Sequence, residues 1–94
     1  MALPREELVK AVWSAMWEIQ WAAKREKIPG PIPDFGEMAS RCFECWFTTP
    51  GTLKSFAIGV LSRRPDLREA TRRLPLELSQ AVWRLISLLE EAAV

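Results

Sequence analysis

The sequence has no histidine, tyrosine or asparagine, and only two glutamines, two cysteines and four glycines in 94 residues. Each shortage removes a chemistry. Without histidine there is no Ser-His-Asp or Cys-His site, and the commonest general acid–base group is missing. The glycines are scattered singly, so no loop can cradle a phosphate with successive backbone N–H groups. Two cysteines three residues apart cannot staple distant parts of the chain, and two thiols are half of what a structural zinc site requires. No apolar run approaches the roughly 20 residues of a membrane span. The N-terminus lacks a basic stretch leading into an apolar one and meets acidic residues at once, Glu6 and Glu7. The expectation is a non-enzymatic, soluble, cytoplasmic protein with no cofactor, no metal, no membrane partner and no small-molecule substrate.

What remains is an ordinary globular composition: 49% hydrophobic, 27% charged, formal net charge +1. Disorder is excluded, and no global field steers the protein toward nucleic acid or membrane. Arginine outnumbers lysine nine to four and amides are scarce; few amides and many ionic groups are a tendency of heat-adapted proteins, whereas an excess of arginine over lysine is not general among them and also follows from a GC-rich genome.

Proline and glycine punctuate an otherwise helical pattern. Pro4 suits the first position of a helix, with Glu6 and Glu7 in its first turn complementing the dipole. Its apolar positions Leu8, Val12, Ala15, Met16, Ile19 and Ala23 recur at helical spacing, and Pro29-Gly30-Pro31 ends it. The stiff stretch 28–34, pinned by Ile28 and Ile32, leads to Asp34 and Glu37, spaced as a capping box for a second helix from Phe35 to about Phe47. Thr49 as N-cap and Pro50 as first residue open a third helix carrying Leu53, Phe56, Ala57, Val60 and Leu61, which ends near Arg64 ahead of Pro65. Residues 65–73 allow a short fourth helix with Leu67, Ala70 and Leu74 inward. Pro75 opens the last one, lined by Leu78, Val82, Leu85, Ile86, Leu89 and Ala93. No stretch alternates as a strand does. The sequence predicts an all-α single domain, residues 1–94, built as a compact bundle of four to five helices.

Three features carry functional interest. Cys42-Phe43-Glu44-Cys45 puts two thiols on one side of a helix. A thioredoxin-like role needs strand context, and a zinc site needs a symmetric dimer pairing two such motifs. The reading that asks for least places both cysteines in the core beside Met38, Ala39 and Trp46. The second feature is Trp13, Trp17 and Trp21, four apart on the first helix, with Trp83 off the core side of the last one. They extend the apolar arc beyond what one packed face needs. Either further helices wrap and bury them, or they form an interface for another chain, the reading favoured because tryptophan dominates interface hot spots. The third is the segment 63–73, with five arginines and two acids. Arg64, Arg68 and Arg72 fall at four-residue steps next to Arg73. They read as a solvated face with a Glu69–Arg73 pair, or as phosphate contacts. The third helix is too apolar to read base edges.

Two function classes follow. The leading one is a helical protein–protein interaction module, a homodimer or a small subunit or adaptor of a larger complex, docking through Trp13, Trp17, Trp21 and Trp83. The alternative is a nucleic-acid-associated subunit contacting phosphates through Arg64, Arg68, Arg72 and Arg73.

Overall fold

The computed structural model describes residues 3–26, 35–49, 51–72 and 74–94. Among them the chain forms five helices and no strand: α1 (Arg5–Glu26), α2 (Phe35–Thr48), α3 (Thr52–Leu61), α4 (Arg64–Thr71) and α5 (Leu76–Ala92). The proline connector, Asp34 and Arg73 fall outside the described residues, as do the side chains of Glu37, Met38, Ala39, Arg64 and Ala70.

Helix starts follow the expected punctuation with small corrections. Pro4 and Pro75 stand just before α1 and α5 rather than inside them. Each offers its carbonyl to the first turn: the Leu8 N–H donates to Pro4 O at 2.8 Å, and the Ser79 N–H to Pro75 O at 2.9 Å. Helix α3 begins two residues later than expected. Thr49 is not its N-cap; Gly51 holds that position with φ 87°. A Cβ is disfavoured in this left-handed conformation, so glycine is the residue that allows it. The Thr49 carbonyl instead accepts from the Thr52 N–H at 3.2 Å, closing the turn between α2 and α3. Helix α3 also stops at Leu61, before Arg64. The Ser62 hydroxyl donates to Gly59 O at 2.6 Å, and Arg64 starts α4, whose first turn accommodates Pro65 because no helical N–H is needed there.

The core lies chiefly between α1 and α5. Leu8, Val12, Ala15, Met16 and Ile19 are buried as expected, joined by Val9, and they meet Leu78, Val82, Leu85, Ile86 and Leu89. Ala23 and Ala93, expected on the same faces, are only half-buried. Helix α2 packs on one flank of α1, α3 packs against α5, and α4 lies against α5. The radius of gyration is 12.7 Å, close to the roughly 12.4 Å of a compact chain of this length. Among the described residues no polar or charged side chain is buried.

Helix α2 centres its inner side on Trp46, which is fully buried and packs on Phe56 of α3 with ring centroids 5.0 Å apart. That placement corrects the reading of the cysteines. Cys45 precedes Trp46 by one residue, about 100° round the helix, and is turned outward. Cys42 is half-buried against the core, Cys45 is exposed, and both are free thiols.

Two polar ties fix helix ends that the sequence does not visibly cap. Helix α2 has no basic residue in its last turn, and Arg5 supplies the cation from α1. Its guanidinium donates to Phe47 O at 3.1 Å, to Thr49 O at 3.3 Å and to Trp46 O. A cation in the first turn of α1 opposes that helix's own dipole, but here it sits at the negative end of α2. At the other side of the molecule the Ser79 hydroxyl of α5 donates to Thr71 O at 2.8 Å, closing the C-terminus of α4.

Candidate functional site

The tryptophans of α1 form a ladder that leaves the core gradually. Trp13 and Trp17 are half-buried and pack against the core, while Trp21 is 61% exposed. Trp13 and Trp17 meet edge to face with centroids 6.3 Å apart, and Trp17 stacks on Trp21 at 6.1 Å. The ladder continues onto α2: Trp13 lies 5.0 Å from Phe43, which meets Phe47 edge to face at 5.1 Å. Each such pair adds about 0.5–1.5 kcal/mol beyond area burial, so the ladder is stable without an outside partner up to its last rung. The Trp17 indole N–H is enclosed and faces no acceptor among the described residues.

The last rung borders a groove. Trp21, Glu18 and Arg25 of α1 face Pro75, Glu77 and Leu78 at the start of α5 across a cavity of about 340 Å³. An ion pair between Arg84 and Glu18 bridges the two helices beside it. The charge around the tryptophans is patterned. Lys10, Trp17 and Lys24 are seven residues apart and fall within about 40° of one line along α1, with Trp13 and Trp21 to either side. Lys10 and Lys24 are both exposed, and the Lys24 ammonium lies 5.7 Å from the Trp21 ring centroid. The stripe is apolar in the middle with a lysine toward each end; Glu6 lies on the same line one turn before Lys10, and Glu18 and Glu77 line the groove beside Trp21.

Trp83 belongs to a different surface. It follows Ala81, which lines the groove, by two residues and is therefore about 200° away round α5. It is 43% exposed, and the guanidinium carbon of Arg68 lies 5.8 Å from its ring centroid. The four tryptophans read together in the sequence are thus divided between two places.

The arginines divide as well. Arg68 is in the last turn of α4, and Arg72 lies one residue beyond the end of the helix, so the row at four-residue steps is not one helical face throughout. The expected Glu69–Arg73 pair lies outside the described residues. Glu69 is instead 3.5 Å from Arg72, with side chains 57% and 78% exposed.

Three contributors were missed at the level of sequence. Phe43 and Phe47 extend the ladder because α2 runs beside α1, a long-range fact without a local signal. Arg5 gives no signal in the sequence, because the two glutamates after it explain the start of α1 unaided. Among the described residues no group of three or more histidine, cysteine, aspartate or glutamate side chains could hold a metal, and no helix is long and apolar enough to cross a membrane. Comparison with known proteins gave no match: no family model fits the sequence, no curated protein is significantly similar to it, and no solved structure is significantly similar to its fold.

Proposed function

We propose that this protein is a non-catalytic docking module that binds an acidic, amphipathic segment of another protein along the tryptophan stripe of α1. The observation that carries the reading is Trp21: a stacked aromatic ladder, anchored in the core at one end, finishes in solvent with a large ring beside a groove. Exposed tryptophan next to a concavity is the composition of an interface anchor.

Charge selects the occupant. In a twofold pairing of two copies through α1 with the axis across the helices at Trp17, the helices run antiparallel and residue 17 + k meets residue 17 − k; with the axis along the helices each lysine meets its own copy. With either axis Lys10 and Lys24 each face a lysine of the second copy, a like-charge arrangement that disfavours the pairing. A foreign helix or strand with carboxylates flanking an apolar middle meets the same lysines favourably. An apolar side chain of that segment fits the groove beside Trp21. The free thiols of Cys42 and Cys45 suit a reducing compartment such as the cytoplasm.

The test has two steps. Light scattering on a sizing column, at several concentrations, is expected to give the 10.8 kDa monomer. Intrinsic fluorescence is then titrated with a 20-residue helical peptide carrying leucine on one face and glutamate on the other. Saturable binding is expected, weakened about tenfold or more by Trp21→Ala and further by Lys24→Glu. A stable dimer dissolved by Trp21→Glu would replace the foreign partner with a second copy. Equal peptide binding by wild type and Trp21→Ala would remove the stripe as the site. Adsorption to phosphatidylserine vesicles without peptide binding would replace the protein partner with a bilayer surface.

A further inference from the structure

The second aromatic surface has a different composition, and its chemistry points elsewhere. Arg68 lies with its guanidinium over the half-open ring of Trp83, 5.8 Å from the centroid. Arg72 follows Arg68 by four residues and is exposed. The only acid the structure sets against Arg72 among the described residues is Glu69, at 3.5 Å and largely in water. Such an exposed pair holds a guanidinium weakly and can be exchanged for a phosphate. The surface therefore combines one planar π-face with the guanidinium of Arg68, and Arg72, in the turn just past α4, adds a second exposed guanidinium close by in the chain.

We infer that the Arg68–Arg72–Trp83 surface binds single-stranded nucleic acid, a base stacking at Trp83 while the arginines take neighbouring phosphates. An acidic protein segment would use the arginines alone and leave the indole without a role. A planar base uses both, because every base has a π-face and the backbone beside it carries the charge. The place over the ring face where Arg68 lies, 5.8 Å from the centroid, is one that a base can take in its stead, since flat guanidinium and flat base both pack on an aromatic face. Duplex is disfavoured. Its bases are already stacked, and the patch is built on an eight-residue helix followed by a turn, with no polar helix projecting to read a groove. This site is separate from the tryptophan stripe of α1 and does not depend on it.

The experiment is fluorescence anisotropy with an end-labelled ten-residue oligothymidylate. Contact with two phosphates predicts that affinity falls roughly 7-fold between 50 mM and 200 mM salt. Trp83→Ala is expected to weaken binding about fivefold or more while leaving the salt dependence unchanged. Arg68→Ala is expected to flatten that dependence by the share of one phosphate, a slope change of about 0.7. Trp21→Ala, on the other surface, leaves oligonucleotide binding as it was, which separates this proposal from the docking function. Each variant is checked for an unchanged far-ultraviolet spectrum. No binding at 50 mM salt would overturn the inference. So would a Trp83→Ala protein that binds as tightly as the wild type, or heparin binding equal to oligothymidylate and equally indifferent to Trp83; both would reduce the patch to a generic polyanion contact.

Discussion

The side of the molecule built by α1 and α2 and the side built by α4 and α5 both display tryptophan, yet they hold it by opposite means. On the first, Trp13 and Trp17 are covered by other aromatic rings, and the neighbouring Trp46 is fully enclosed. On the second, Trp83 has a guanidinium for its cover. The first is an extension of the core that runs out into solvent at Trp21. The second is a surface feature laid on the outside of a finished core. Removing a ring should therefore cost stability in proportion to its depth on the first side and almost nothing on the second.

The largest effect belongs to Trp46. Trp46→Ala removes a fully buried indole between α2 and α3 and is expected to cost about 3–5 kcal/mol, a fall in melting temperature of more than about 12 °C. A melt within a few degrees of wild type would mean that α2 is not anchored as described. Next is Arg5→Ala, which leaves the C-terminal carbonyls of α2 without their cation. A loss of about 1–2 kcal/mol in urea unfolding is expected from charged hydrogen bonds at a partly exposed site. Gly51→Ala should cost about 1–2 kcal/mol through its left-handed φ alone, since the space around a Cβ there is open. Gly59→Ala, on α3 and equally open, is the control and should be neutral or slightly stabilising. Trp83→Ala and Trp21→Ala should each stay within about 1 kcal/mol of wild type, while each weakens a different binding activity. If Trp83→Ala destabilises as much as Trp46→Ala, the contrast between the two sides fails. A similarly small coupling is expected for the Glu18–Arg84 pair, where a double-mutant cycle should return about 0.2–1 kcal/mol because both side chains are more than half exposed.

Much of the architecture was legible because helical periodicity and proline punctuation are local. Leu8, Val12, Met16 and Ile19, or Leu78, Val82, Leu85 and Leu89, announce their inward faces without reference to the rest of the chain. The boundaries were legible to within one to three residues, and the errors share a cause. The sequence pattern reads Pro4, Pro50 and Pro75 each into a first helical turn, whereas Pro4 and Pro75 stand one residue outside and Gly51 takes the cap of α3. Proline is compatible with both positions, and the choice rests on backbone angles that no side-chain pattern reports.

The functional surfaces were legible as candidates only. Trp13, Trp17 and Trp21 could be placed on a stripe by arithmetic, but whether that stripe is covered depends on where α2 and α5 lie. Trp83 reads with them because all four leave the core side of their helices. The cysteines illustrate the same limit, since Cys42 and Cys45 differ in exposure through the rotation of α2 about Trp46.

The sequence by itself determined that this protein is all-helical, where its helices break, which residues line their inner faces, and that histidine chemistry is closed to it. Only the tertiary structure decided which tryptophan is enclosed and which is open, that Arg5 serves a helix other than its own, and that Arg68 rests on Trp83. The physical reason is range. Helix propensity, capping and periodicity act within a few residues and are written in the chain order. Exposure and pairing are settled between side chains distant in sequence, by which helix comes to lie beside which.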